Sequence, residues 1–135
     1  MHSKIISIAT LLAVLATATP TTAAKAPRWV RLATDNFGNV VFADANNIQI
    51  TKRSGAKRVA VYAKTVYERP WRKRIKSIIT WNQVNCLTNS IQVSDVRAFS
   101  VKGEEFFLIR NKLVPSDLST ETFSSQIYRY ACSKV

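Results

Sequence analysis

The segment TETFSSQIYRYAC, residues 120–132, decides the fold predicted for this chain. Phe123, Ile127 and Ala131 recur at intervals of four, so a helix over this segment would place them on one apolar face. Ser119 precedes the segment as a candidate N-cap. A helix this short is marginal alone in water, so we expect its apolar face to pack on a β-sheet.

Cys132 ends this segment, and Cys86 is the only other cysteine of the chain. Two cysteines in an exported chain most simply form a disulfide, which here would tie the helix to the middle of the sheet. Closing that loop would stabilise the fold by about 4 kcal/mol in the chain-entropy model. A free reactive thiol or a metal pair is the alternative, although two cysteines alone provide fewer ligands than a metal site needs.

Residues 1–24 have the composition of an export signal peptide. Lys4 gives a positive start, the residues from there to Ala18 are apolar or small, and Thr22-Ala23-Ala24 offers small residues for cleavage. The apolar run is too short for a convincing transmembrane span, which makes an uncleaved anchor the weaker alternative. No cysteine stands near the cleavage position for lipid attachment. We expect residues 25–135 to form one exported domain, periplasmic or secreted to the cell surface and not lipid-anchored.

Apolar segments separated by turn residues predict about six strands before the helix. They are residues 29–34, 40–43, 58–68, 75–86, 91–101 and 104–110. Residues 44–48 are expected to form a single helical turn, and residues 52–57 a charged turn. No long connection is available for parallel pairing, so the predicted fold class is α+β. It consists of an antiparallel sheet of about six strands with the C-terminal helix packed on one face and tied by the disulfide.

The strand predicted at residues 104–110 has apolar side chains on both of its faces, because Phe106 and Leu108 alternate with Phe107 and Ile109. The helix can cover only one of these faces. The second apolar face could be covered by a second copy of the chain, so a homodimer is the candidate assembly.

The chain is strongly basic, with a formal net charge of +12, which favours anionic partners. Residues 52–76 hold ten basic residues against one acid, Glu68, and the ring of Trp71 among them can stack on a sugar, a base or a guanidinium group. The candidate partner-binding residues are Lys52, Arg53, Lys57, Arg69, Trp71, Arg72, Lys73, Arg74 and Lys76. The alternative is a solvated basic rim with the tryptophan folded onto the core.

The partner expected for this basic hairpin is a glycan, an envelope component or an acidic protein surface. Nucleic acid is disfavoured, because no nucleic-acid-binding motif accompanies the charge. The single histidine, His2, lies in the predicted signal, so no histidine base would activate a serine. No nucleophile elbow, metal-ligand spacing or phosphate-binding glycine loop is present in the sequence. We therefore expect a non-enzymatic module without catalytic residues, metal or cofactor, and a weak hydrolase is a poor alternative.

The order of these features resembles the bacterial surface-adhesin protein E family over nearly all of residues 25–135. The matching pieces are Trp29, residues 44–48, Val84-Asn85-Cys86, residues 99–103, Val114-Pro115-Ser116 and Cys132. The resemblance implies an antiparallel sheet with its helix tied by the disulfide, a dimer, and binding of host matrix or plasma proteins as in the best-known member. The chain differs in lacking the lipid-attachment cysteine of lipoprotein members, in having Pro-Ser-Asp where Pro-Gly-Ser is usual, and in being unusually basic.

The predicted function is an adhesin-like, exported binding module that engages an anionic or host or envelope macromolecule through the basic hairpin. The alternative is a structural or assembly module of the cell envelope that self-associates through an uncovered sheet face.

Overall fold

The computed structural model describes residues 25–53, 55–72, 74–109, 114–115, 118 and 123–135. In order, the elements are β1 (Trp29–Thr34), β2 (Val40–Asp44), β3 (Gln49–Arg53), β4 (Ala56–Trp71), β5 (Ile75–Asn85), β6 (Ser90–Ser100), β7 (Glu105–Ile109), β8 (Val114–Pro115) and α1 (Phe123–Cys132). The predicted signal, the predicted N-cap Ser119 and residues 120–122 of the predicted helix lie outside the described residues. Within those residues, no helix is long and apolar enough to span a membrane.

The strands form one antiparallel sheet. Six of them follow one another in the order β1-β2-β4-β5-β6-β7. The two additional strands extend existing edges, since β3 pairs with β4 beyond β2 and β8 pairs with β6 beyond β7. The prediction of an antiparallel sheet followed by a C-terminal helix is confirmed.

Strand β3 is the element that the sequence does not predict. All five of its residues are exposed, so neither face carries the apolar alternation that identifies a half-buried strand. The predicted charged turn at residues 52–57 is shorter in the structure, because Lys52 and Lys57 lie opposite each other in the paired strands β3 and β4.

A buried carboxylate shapes the connection from β2 to β3, where a single helical turn is predicted and a non-helical turn forms. Asp44 is 1% exposed. One of its oxygens accepts hydrogen bonds from the backbone N–H of Arg28 at 3.0 Å and of Asn46 at 2.9 Å. The other accepts from the side-chain amide of Asn47 at 2.7 Å. Each oxygen therefore has a partner, as a buried charge requires.

The core lies between helix α1 and one face of the sheet. Ala131 has no exposed surface and Ile127 is 6% exposed, as their spacing predicts. They form one cluster with sheet residues that alternate along their strands, namely Val41, Ala43, Val59, Val61, Ala63, Val84 and Ile91. Burying a Val or Ile side chain contributes about 1.5–3 kcal/mol, so this cluster is the main support of the fold. We call the opposite side of the sheet the open face, because no described element packs on it.

The predicted disulfide is confirmed. Cys86 and Cys132 are bonded, with their Cα atoms 5.7 Å apart. Cys86 directly follows β5, and its N–H donates to the carbonyl of Lys57 at 3.0 Å. Because Cys132 is the last residue of α1, the bond fixes the end of the helix to the central strands of the sheet.

Candidate anion-binding surface

The structure divides the nine predicted partner-binding residues between the two ends of β4. Lys52, Arg53 and Lys57 form the β3–β4 cluster, and all three are exposed. The β4–β5 cluster lies at the other end and consists of Arg69, Trp71, Arg72, Arg74 and Lys76. Lys73 belongs to the same hairpin in sequence but lies outside the described residues.

The length of β4 keeps the two clusters apart. The strand has 16 residues, and an extended chain rises about 3.3 Å per residue. Lys57 and Arg69 are therefore separated by about 40 Å of strand. A small anion can contact only one cluster, whereas a long polymer would be needed to contact both.

A tight hairpin carries the β4–β5 cluster. The N–H of Arg74 donates to the carbonyl of Trp71 at 3.2 Å, and Arg72 has a positive φ of 50° in the turn between them. Ile75, the first residue of β5, is 5% exposed and anchors the hairpin. The turn thus projects from a buried base.

Trp71 lies on the surface of this hairpin instead of in the core. It is 41% exposed. The guanidinium carbon of Arg72 lies 4.5 Å from the centre of its ring, and the ring of Tyr67 lies 6.4 Å away at an interplanar angle of 26°. The result is an exposed aromatic platform with a cation stacked on it.

Lys76 uses its charge inside the hairpin. Its ammonium donates to the carbonyl of Tyr67 at 2.7 Å and to that of Glu68 at 3.3 Å. These carbonyls lie where the pairing of β4 with β5 is interrupted between Val66 and Trp71. Lys76 therefore stabilises the irregular part of the strand and is less available to a partner than the exposed arginines.

The β1–β2 turn completes a cleft beside the hairpin. Phe37 at the tip of this turn is 81% exposed, and it lines the cleft together with Tyr67, Arg69, Trp71 and Arg72. The cleft has a volume of about 720 Å³. Sequence reasoning missed Phe37 because it assigned residues 35–39 to a turn. The signal was present, since a large aromatic residue within so short a turn has no route to the core.

Hydrogen bonds hold the β1–β2 turn against β4. One oxygen of Asp35 accepts from the N–H of Phe37 and of Asn39, each at 2.9 Å, and the other accepts from the Asn39 side chain at 2.9 Å. Desolvation opposes ionisation of Asp35, but these hydrogen bonds outweigh it and lower its pKa. The Asn39 side-chain oxygen in turn accepts from the N–H of Glu68 at 3.0 Å.

Gly38 lets this turn approach β4 closely. It has a φ of 82°, which an L-residue with a side chain rarely adopts. A Cβ atom at this position would lie 3.2 Å from Cγ of Glu68. The glycine therefore fixes both the shape of the turn and its distance from the strand.

The exposed arginines of the β4–β5 cluster make no salt bridge within the part of the chain that the structure describes. Among the described residues, the one salt bridge joins Arg97 and Glu105, on β6 and β7, at 2.6 Å. Arg69, Arg72 and Arg74 form no ion pair with any residue in the described ranges. Crowded like charges cost stability, and a bound anion would relieve that cost.

The β3–β4 cluster also concentrates positive charge, but no exposed aromatic side chain of the described structure lies beside it. Lys52 and Lys57 are directly paired across β3 and β4, where like charges destabilise an antiparallel sheet. Among the described residues, exposed tryptophan and phenylalanine side chains accompany only the other cluster. The β4–β5 end is therefore the better candidate for recognising a partner.

The part of the chain that the structure describes contains no cluster of metal-ligand side chains. Within it, no three or more His, Cys, Asp or Glu side chains are grouped so that they could hold an ion. The chemistry of the surface is that of cations and aromatic rings, which suits binding of an anionic macromolecule.

Comparison with known proteins gives a match to a protein family. The model of the surface-adhesin protein E family matches residues 29–133, from the first residue of β1 to just beyond the end of α1. A search of curated proteins and a search of solved structures find no significant match. Because the family model covers well over half of the sequence, the chain belongs to the surface-adhesin protein E family.

Proposed function

We propose that residues 25–135 act as an exported, non-enzymatic binding module that engages an anionic macromolecule through the β4–β5 cluster. The observation that carries this proposal is the exposed ring of Trp71 under the guanidinium of Arg72, flanked by arginines without an ion pair among the described residues. The membership of a surface-adhesin family supports an adhesin-like role.

The partner class follows from this chemistry. Arginine side chains bind carboxylate, sulfate and phosphate groups through paired N–H donors. An exposed aromatic ring can stack on a sugar. A sulfated or acidic glycan, an anionic envelope component and an acidic protein surface all fit, and each is accessible to an exported protein.

Heparin affinity chromatography tests the site with a matched control. Arg72, Lys73 and Arg74 are changed to Ser in one variant, and Lys52, Arg53 and Lys57 in another, so that both lose three positive charges. The first variant should elute at clearly lower salt than the wild type, and the second should shift much less. Equal shifts would show that net charge alone causes retention and would remove the claim for the β4–β5 cluster.

The aromatic part of the proposal has its own test. Trp71→Ala keeps every charge but removes the platform on which Arg72 stacks. If the ring contacts the partner, this variant should also elute earlier, whereas unchanged elution would restrict the site to its cations.

Export is the second part of the proposal. A signal peptide at residues 1–24 would place the domain in the periplasm or outside the cell, where the Cys86–Cys132 disulfide can persist. Mass spectrometry of protein isolated from its native cells tests this. A mature chain beginning at Lys25 is expected, and retention of residues 1–24 would contradict cleavage at this position.

Self-association through the open face stays a prediction of the sequence. Sedimentation at high protein concentration tests it, and a monomer under those conditions would argue against an assembly role.

A further inference from the structure

A second concave site lies on the open face of the sheet, at the end of β4 remote from Trp71. It is a depression of about 490 Å³. Its central row contains directly paired residues from four neighbouring strands, in the order Gln49, Ala60, Gln83 and Gln92. We call this row the glutamine furrow.

The three glutamines of the furrow are exposed, and their side chains make no hydrogen bond with any other residue that the structure describes. Each amide can donate two hydrogen bonds through its NH₂ group and accept through its oxygen. Ala60 between them has no side chain beyond Cβ, which leaves the floor of the furrow low. The strand spacing of about 4.8 Å makes the row about 14 Å long from β3 to β6.

The rows on either side of the furrow supply a cation and an aromatic ring. Arg58 lies in one, paired with Thr51 and Asn85, and it forms no ion pair within the described part of the chain. Trp81 lies in the other, paired with Tyr62, whose ring centre is 4.4 Å from its own. None of the residues that line the depression is acidic.

We propose that the glutamine furrow binds an oligosaccharide that carries a carboxylate. Sugar hydroxyls both donate and accept hydrogen bonds, as the side-chain amides of Gln49, Gln83 and Gln92 do. The ring of Trp81 offers an apolar surface to the C–H groups of a sugar ring. Arg58 provides a planar pair of donors for the carboxylate.

Other partners fit the furrow less well. A purely apolar surface would bury the amides without hydrogen bonds, which is costly for each unpaired group. A nucleic acid presents a regular array of phosphates, whereas the lining of this site contains one cation, Arg58.

The furrow and the β4–β5 cluster are independent sites. Gln49 and Arg58 lie in the β3–β4 hairpin, where they pair with Ala60 and Thr51, whereas Trp71 and Arg72 lie at the opposite end of β4. Loss of one site therefore leaves the other intact, and the two proposals can fail separately.

NMR titration of the ¹⁵N-labelled, disulfide-bonded protein with a hyaluronan tetrasaccharide tests this proposal. This probe carries carboxylates but no sulfate. The side-chain NH₂ signals of Gln83 and Gln92 and the indole N–H of Trp81 should shift, while the indole N–H of Trp71 should not. Shifts confined to Trp71, or no shift at millimolar probe, would overturn the proposal.

Substitutions identify the groups that bind. Replacing Gln83 and Gln92 together by Ala removes two neutral hydrogen bonds and should weaken binding by roughly 25-fold. Gln126→Ala removes one side-chain amide from α1, on the other side of the sheet, and should leave the affinity unchanged. Unchanged affinity in the double variant, or an equal loss in the control, would overturn the assignment.

Arg58 and the basic hairpin provide the remaining comparisons. The wild type should prefer the tetrasaccharide of hyaluronan to neutral cellotetraose, and Arg58→Gln should abolish that preference. The Arg72, Lys73 and Arg74 to Ser variant should bind hyaluronan tetrasaccharide as the wild type does. If that variant loses binding, the sugar occupies the β4–β5 cluster and the furrow proposal is wrong.

Discussion

The two faces of the central strands differ completely although their residues alternate along the same chain. One cross-strand row is buried beneath the helix on the covered face. The adjacent row, offset by one residue along each strand, lies on the open face. The buried row is Val59, Val84 and Ile91, and the open-face row is the half-buried Ala60 with the exposed Gln83 and Gln92. A one-residue slip would bury amides and expose the apolar row. The covered face therefore fixes the register, which leaves the open face free to carry polar side chains.

The largest expected effect comes from removing the covalent link that holds the helix on the covered face. Changing both Cys86 and Cys132 to Ala should lower the free energy of unfolding by about 4 kcal/mol, because the unfolded chain is no longer constrained by the loop. Urea denaturation of the variant and the oxidised wild type measures the difference.

Treatment with a reductant shows whether the loss of stability comes from the missing disulfide or from the substituted side chains. The wild type treated with a reductant should lose a similar amount of stability as the double variant, whereas the variant itself should not respond to reductant. A double variant as stable as the oxidised wild type would mean that packing of α1 suffices without the disulfide.

The next largest effect contrasts an isoleucine on the covered face with one on the exposed strand β3. Ile127→Ala leaves a cavity under the helix and should cost about 3 kcal/mol, since Ile127 is 6% exposed. Ile50→Ala makes the same chemical change at a residue that is 46% exposed, and it should cost well under 1 kcal/mol. Equal losses in chemical denaturation would contradict the difference between the two environments.

The covered side of the fold could be predicted because buried residues recur in the sequence with the period of a helix or a strand. Ile127 and Ala131 recur at helical spacing, and Val59, Val61 and Ala63 alternate as a half-buried strand requires. The disulfide followed from having two cysteines in a chain with an export-like start. Strand β3 shows no such apolar pattern, because every one of its residues is exposed.

The two proposed binding surfaces could be predicted only in part. Charge density singled out the segment that holds Arg69 and Arg72, but composition could not show that Lys57 lies at the far end of a 16-residue strand. Sequence also could not show that the Lys76 ammonium is held by backbone carbonyls. The glutamine furrow forms only because the strand register brings together residues that are far apart in the chain. No local sequence pattern therefore predicts it.

The smallest expected effect is a change of stability with pH. The β1–β2 turn should contribute to it through Asp35, whereas the apolar covered face should not. Because the pKa of Asp35 is lowered in the folded protein, its carboxylate stabilises the fold above its unfolded pKa of about 3.9. This contribution is lost as the pH falls through the folded pKa. Asp35→Asn keeps an oxygen acceptor for the turn but cannot ionise. The stability difference between wild type and variant should therefore be largest near neutral pH and shrink below about pH 4.

Urea denaturation at a series of pH values from neutral to acid measures this difference. Glu104→Gln is the control, since the side chain of Glu104 is exposed and makes no hydrogen bond with the described residues, and this change should leave the acid limb of the stability curve as it is in the wild type. A gap between wild type and Asp35→Asn that stayed constant across the series would mean that the hydrogen-bond geometry of the turn matters and the charge does not. The turn that presents Phe37 to the cleft would then be held independently of pH, as the covered face is.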